Sequence, residues 1–495
     1  MIYHTDEYKS ERAILGLEDL STPSYYDPAA ALICARRGTR SFLHELLHLN
    51  QLSATTSGLA VTAALAYRNM CVEFRIKDLN ERFGAGLWSP VLGWLDHLYQ
   101  GVGGDEFRDP SYPYYHLSYL KRWIGSADSL LFALGYFDTT NYDDIKYWQE
   151  RFPWMHIFQD DEWIEHSFYR HVVPFAWMTS GVRALLESSA LYLELLYALG
   201  STSDANEALW RKFKSGRWSG APDPKERDFV YYGAFTEVSW RGESKGDQPP
   251  PYHLLPVCAF WALNGPLPHF SFRKEMAIRS AAKGLTWADL APPAVFETLL
   301  SRCSDVAQQT FTSVDELSFQ SRKLGPIVDE MFGPGYLLRI GSEDERYTDV
   351  VLATDDIGLS YHTALCGIRN DAKHDSRFES FFRYPPSPPT KAQYQLLEAD
   401  ARPEVTNNLR ALLLSVVAEH LIPTWSENGD DRFRSPRRLR CPSATADRPL
   451  CPSRMCSGVF PGASGLPIAC WFQETAASVL SLDVRNIGIV DGYDA

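Results

Sequence analysis

The segment that most constrains this chain is "RSFLHELLHLNQL", residues 40–52, an apolar helical stretch interrupted by His44, Glu45 and His48. Positions four apart lie about 40° apart around an α-helix, one turn above the other, so His44 and His48 share a face. Glu45 lies about 100° round from His44. No Pro or Gly breaks the turn, and Phe42, Leu46, Leu47 and Leu49 make the rest of the helix fit for burial. Two imidazoles so placed can bind one Zn²⁺, while the carboxylate can reach a water at the metal rather than the metal itself. With 13 histidines in 495 residues, this pattern arises by chance only about 0.02 times per chain. The structural alternative is that the three groups hydrogen-bond one another in a helical core. In so apolar a helix that arrangement is costly without a metal to pair them. Gln51, seven residues beyond His44, falls on the same face and can orient His48 or a bound substrate.

The segment "HELLH" resembles the active-site helix of the zincin metallopeptidases. The longer run "HELLHLNQLSATTSGL" is similar to bacterial HExxHxxQ proteins, over residues 40–60. The resemblance implies zinc held by His44, His48 and, as in gluzincins, a glutamate from a later helix. It also implies that Glu45 assists attack of a zinc-bound water on a carbonyl carbon. Near candidates for the third ligand, Glu73 and Asp78, lie in the charged run "CVEFRIKDLNER", which reads as a solvated face. Glu187, in "GVRALLESSALYLELL", is the better candidate. Its helix is apolar nearly all round, so the carboxylate is buried and needs a cation or a donor. Ser188, Ser189 and Ala190 beside it are small enough for close helix contact. The alternative for Glu187 is an ion pair with Arg183, and Glu194 on the same face is a candidate partner to the site or, more simply, one half of an ion pair. Tyr114, Tyr115, His116, Tyr169, Arg170 and His171 lie in aromatic runs that could supply an oxyanion donor but read more simply as core.

Helical periodicity covers 40–52, 57–82, 126–136, 175–199, 204–214, 253–264, 286–302, 314–332 and 403–421. Strand signals are few: 335–341, 347–354 and 228–235, the last also compatible with a helix. The expected fold is therefore mainly α with minor strands, the HExxH helix packed in a large helical domain. Pro-, Gly- and charge-rich breaks suggest a catalytic core at 1–214 and a helical substrate or regulatory region at 215–425. A basic, cysteine-containing segment at 426–495 completes the division. In that last segment Cys441, Cys451, Cys456 and Cys470 sit among Pro, Gly and Ser, too poor in apolar residues to fold by packing alone. Four thiolates there can hold a second, structural zinc or an iron–sulfur cluster, with free thiols and disulfides as the alternatives. The scattered Cys34, Cys71, Cys258, Cys303 and Cys366 read as buried free thiols.

Charge narrows the partners. Forty-eight basic against 62 acidic residues give a net −14, which argues against a general nucleic-acid binder despite five arginines between 432 and 440. The polar, mixed-charge opening carries no secretory pattern, and no apolar run reaches the length of a membrane span, so a cytoplasmic protein is expected. The function these features suggest is a zinc metallo-endopeptidase acting on a restricted protein or peptide substrate, with room for a regulatory protein partner. The rival is a non-catalytic helical scaffold with a degenerate HExxH and a cysteine-bound structural metal.

Overall fold

The computed structural model describes residues 25–35, 40–83, 131, 134–136, 181–212, 234–235, 237–239, 249–265, 291–332, 376–383, 395–397, 411, 414–415, 459–461 and 467–469. Described residues are mostly helical, as the sequence periodicity leads one to expect. In chain order the helices are α1 (Arg40–Ala54), α2 (Thr56–Phe83), α3 (Val182–Leu199), α4 (Thr202–Lys212) and α5 (Leu254–Leu263). They are followed by α6 (Pro292–Leu300), α7 (Ser304–Ala307), α8 (Val314–Lys323), α9 (Gly325–Phe332) and α10 (Ser376–Phe382). The strands are β1 (Tyr25–Asp27), β2 (Leu32–Cys34), β3 (Gln395–Leu397), β4 (Val459–Pro461) and β5 (Pro467–Ala469).

The chain divides into two compact units, and α1 and α2 are each shared between them in sequence. One unit comprises residues 46–64 and 128–392 together with 1–2. Its centre is α5, "LLPVCAFWAL", in which all ten side chains are buried. A helix buried on every side needs neighbours on every side, and α5 packs on α3, α6, α8 and α10. Phe260 supplies the aromatic focus: it stacks on Phe378 at 4.1 Å and meets Phe381 and Trp261 edge-on. Two polar ties fix α5 to α8. Trp261 Nε1 donates to the Ser321 carbonyl at 2.8 Å, and Ser321 Oγ donates to the Val257 carbonyl at 3.0 Å.

Helix ends follow local chemistry. α3 begins after Gly181 and ends at Gly200, whose φ of 78° is the left-handed turn that glycine adopts without steric cost. Its N–H closes on the Leu196 carbonyl. Ser313 caps α8 by accepting the Glu316 N–H at 3.2 Å, and the Glu316 carboxylate reaches back to the Thr312 N–H at 2.7 Å. The single helix expected over 314–332 is in fact two, α8 and α9, parted at Leu324. Pro326 accounts for the break: it has no N–H to give to the preceding turn and suits only the first turn of a new helix.

A single hydroxyl serves the α1–α2 junction. Thr55 Oγ1 donates to the Gln51 carbonyl at 2.9 Å, closing α1, and accepts the Gly58 N–H at 3.1 Å, capping α2. Asn264, just past α5, takes the Thr56 N–H on its side-chain oxygen. The turn is tight enough that a Cβ on Gly58 would lie 2.5 Å from Leu52 Cα, so only glycine fits.

The second unit comprises residues 3–45, 65–127 and 393–495. It holds a three-stranded sheet in the order β1-β2-β3, with β1 antiparallel and β3 parallel to β2. β4 and β5 form a separate antiparallel pair. In the β1–β2 turn the Asp27 carboxylate accepts the Ala30 N–H at 2.8 Å, a side-chain-closed turn of the kind aspartate favours. None of these short strands is among the segments the sequence singled out. Of those segments, 335–341 and 347–354 lie outside the described residues, and Ala234 and Phe235 of 228–235 are helical. Among the described residues no helix is long and apolar enough to cross a membrane.

Candidate metal site

His44, Glu45 and His48 all lie on α1, and Glu187 lies in the second turn of α3. One nitrogen from each histidine and one carboxylate oxygen of Glu187 lie within 4.8 Å of one another, a group able to hold a metal ion. The shortest approach is His48 Nε2 to Glu187 Oε2, 3.0 Å across 139 residues of sequence. Ligand atoms at about 2.0–2.2 Å from a tetrahedral zinc are about 3.3–3.6 Å apart, a spacing that small shifts of these side chains would reach from donors already within 4.8 Å of one another. His48 and Glu45 are 8% and 5% exposed, whereas His44 and Glu187 are half-buried. The side chains of His48 and Glu187 are 10% and 16% exposed, so both donors of the shortest contact are largely shielded from solvent.

What holds the two helices in register is a pair of side chains outside the ligand group. Asn50 of α1 donates its Nδ2 to the Arg383 carbonyl at 2.6 Å, and Tyr197 of α3 donates its hydroxyl to the Phe382 carbonyl at 3.1 Å. Both acceptors are carbonyls at the C-terminal end of α10, where the last turn of a helix leaves its oxygens without intrahelical donors. Consecutive carbonyls of one helix end therefore anchor both helices that bear the cluster. Arg383 is itself held by Asp315 of α8 at 3.0 Å and by Glu379 at 3.4 Å. Sequence reasoning gave Asn50 no anchoring role and passed over Tyr197. The signal for Asn50 was a carboxamide at a fully buried position of an apolar helix, which demands a partner; for Tyr197 there was none.

A second polar chain fixes α3 from its other side. Tyr192 donates to Asn206 Oδ1 at 3.1 Å, Asn206 Nδ2 donates to His253 Nδ1 at 3.0 Å, and His253 Nε2 donates to the Val306 carbonyl at 3.0 Å. A carbonyl only accepts, so the ring proton is assigned to Nε2 and the imidazole is neutral. Burial lowers the His253 pKa below its ordinary value, with the bond to Val306 opposing the shift. Between that lowered value and about 6.5 the unfolded chain binds more protons than the folded one, so acidification through this window favours unfolding. The thermal midpoint should fall as pH drops below about 6.5, and a His253→Gln protein should show a shallower fall. Melting curves from neutral to mildly acidic pH decide it, and equal slopes would exclude His253 as the cause.

The remaining sequence candidates fall in three groups. Glu73 pairs with Lys77 at 2.8 Å on the solvent side of α2, as its charged surroundings suggest, and is not part of the cluster. Glu194 is buried on α3 at 3% exposure but is not part of the cluster either. Tyr114, Tyr115, His116, Tyr169, Arg170 and His171 lie outside the described residues, as do Cys441, Cys451, Cys456 and Cys470. Cys71, Cys258 and Cys303 are buried free thiols, with Cys258 and Cys303 sulfurs 3.8 Å apart.

No protein family, curated protein or solved structure matches this chain. The site therefore rests on its own geometry.

Proposed function

We propose that the chain is a zinc-dependent hydrolase, a metallo-endopeptidase that cleaves a restricted protein substrate. The observation that carries this reading is the convergence of His44, His48 and Glu187, from helices far apart in sequence, with Glu45 beside them. Two imidazoles and one carboxylate are the donor set of a catalytic zinc that keeps a position open; a site made of oxygens alone would suit magnesium or calcium instead. His44, His48 and Glu187 would hold the ion. Bound there, zinc supplies Lewis acidity toward a carbonyl and toward water.

The chain's own part is proton transfer and exclusion of water. Glu45 is nearly buried and stands about 100° round α1 from His44, and its carboxylate would accept a proton from the attacking water and return it to the leaving nitrogen. The apolar residues flanking it, Leu46, Leu47 and Leu49, keep bulk solvent from competing for that proton. The large helical additions around so small a site support a narrow substrate range and a regulatory protein partner, by analogy with enzymes whose added domains shape access. Cys258 and Cys303, whose thiols are hydrogen-bonded at 3.8 Å and not joined as a disulfide, suit a reducing, cytoplasmic setting.

The 3.0 Å contact of His48 with Glu187 favours a second reading, a non-catalytic scaffold in which the two residues simply satisfy each other. Metal content separates the two. Elemental analysis of the purified protein should find one zinc per chain that is lost in His44→Ala. A second zinc, if held by the cysteine cluster, should survive that change and disappear in a Cys451→Ser/Cys456→Ser protein. If His44→Ala leaves the zinc content untouched, the scaffold reading stands and the hydrolase is abandoned.

A further inference from the structure

Gln51 is wholly buried, at 0% exposure, yet neither its side-chain nitrogen nor its side-chain oxygen has a hydrogen-bond partner. Its backbone carbonyl is taken by Thr55, so the deficit belongs to the carboxamide alone. Buried carboxamides are almost always paired, and a group left bare on both ends calls for an occupant. The neighbouring carboxamide is half paired by comparison: Asn50 Nδ2 is committed to the Arg383 carbonyl, while its Oδ1 is also buried without a partner.

The position of Gln51 says what that occupant is near. Seven residues past His44 it lies about 20° from that residue around α1, and about 4.5 Å further along the axis than His48. It continues the stripe that carries the two imidazoles by one more turn. Because His44 and Glu187 are partly exposed, a ligand approaches the stripe from their end, and the wholly buried Gln51 carboxamide is reached only as the side chains covering it give way.

We infer that Gln51 is the residue that receives a backbone amide of a peptide bound at the metal site. The inference rests on the hydrolase reading and deepens it by assigning a subsite. A carboxamide offers one N–H donor beside one acceptor oxygen, the complement of a peptide group's carbonyl and N–H. Placed where water is excluded, such a pair is not contested by solvent, so it discriminates strongly against ligands that lack the peptide group. A side chain of fixed charge could not do this without a preference for acidic or basic residues; Gln51 reads only the backbone. It acts on binding and alignment and takes no part in proton transfer.

The test uses two zinc-chelating probes on the zinc-loaded full chain: acetohydroxamate, which offers the chelating group alone, and acetyl-Leu-Gly hydroxamate, which adds backbone amides. Dissociation constants are measured by calorimetry for the wild type and for Gln51→Met, an uncharged change of similar size. The peptide probe should bind the wild type at least about tenfold more tightly than acetohydroxamate, and Gln51→Met should lose about that factor. Acetohydroxamate affinity and zinc content should stay at wild-type values, and the melting temperature should not fall. A peptide advantage that survives Gln51→Met overturns the inference, because the carboxamide then holds nothing but water. No advantage in the wild type overturns it too. If Gln51→Met fails to fold, Gln51→Leu takes its place with the same criteria. Failure of both probes on the wild type sinks the hydrolase reading itself, and is distinguished by the loss of acetohydroxamate binding.

Discussion

A Glu45→Gln protein should keep its zinc and lose about 10²–10⁴-fold in hydrolytic rate. The substitution preserves shape and hydrogen-bonding capacity but removes the basic oxygen that takes the proton. Because Glu45 stands about 100° round α1 from His44 and outside the three-residue cluster, removing its charge should leave the donor atoms where they are. Cleavage of fluorescently labelled casein, assayed beside zinc content, measures both sides of this expectation. Undiminished cleavage would take the base role away from Glu45. Zinc lost together with activity would instead make Glu45 a ligand and require the cluster to be redrawn.

Replacing Phe260 by alanine should lower the unfolding free energy by about 3–5 kcal/mol, the usual cost of deleting a fully buried phenylalanine. The site on α5 has little freedom to collapse around the void, since Trp261, Phe378, Phe381 and Phe382 all meet the ring. Three of those four belong to α10, whose terminal carbonyls receive Asn50 and Tyr197. The cavity should therefore also reach the metal cluster and weaken zinc binding, although Phe260 touches no ligand. Urea unfolding followed by circular dichroism gives the first effect, and competition with a fluorescent zinc chelator gives the second. A destabilised protein with unaltered zinc affinity would show that the α10 anchor is dispensable.

How far the sequence disclosed this arrangement depends on the range of the interaction. α1, α2 and α3 were legible because each carries its own apolar periodicity, and α5 because its run is apolar throughout; their ends are set by local chemistry, as at Thr55, Gly181 and Gly200. Glu187 was legible for a related reason: a carboxylate in an apolar helix announces a missing partner, whereas Glu73 has charged neighbours to pair with. The identity of that partner, His48, rested on resemblance until the helices were seen together. The short strands were illegible because three-residue segments carry too little alternation to register, and β2 pairs with β3 more than 360 residues away. The Asn50 and Tyr197 anchors were illegible because their acceptors are backbone carbonyls, which every residue possesses. The split at Leu324 was in principle readable, since Pro326 stands in the sequence, but the apolar pattern runs unbroken across it.

The dependence of two helices on the end of α10 also has a bearing on the order of synthesis. All three members of the metal cluster have left the ribosome once Glu187 has emerged, but the carbonyls that align them arrive at Phe382 and Arg383, 196 residues later (383 minus 187). A nascent chain therefore carries the full set of donors long before it can hold them in place. On the hydrolase reading proposed above, cleavage of neighbouring nascent chains would be deferred by topology until residue 383 has emerged.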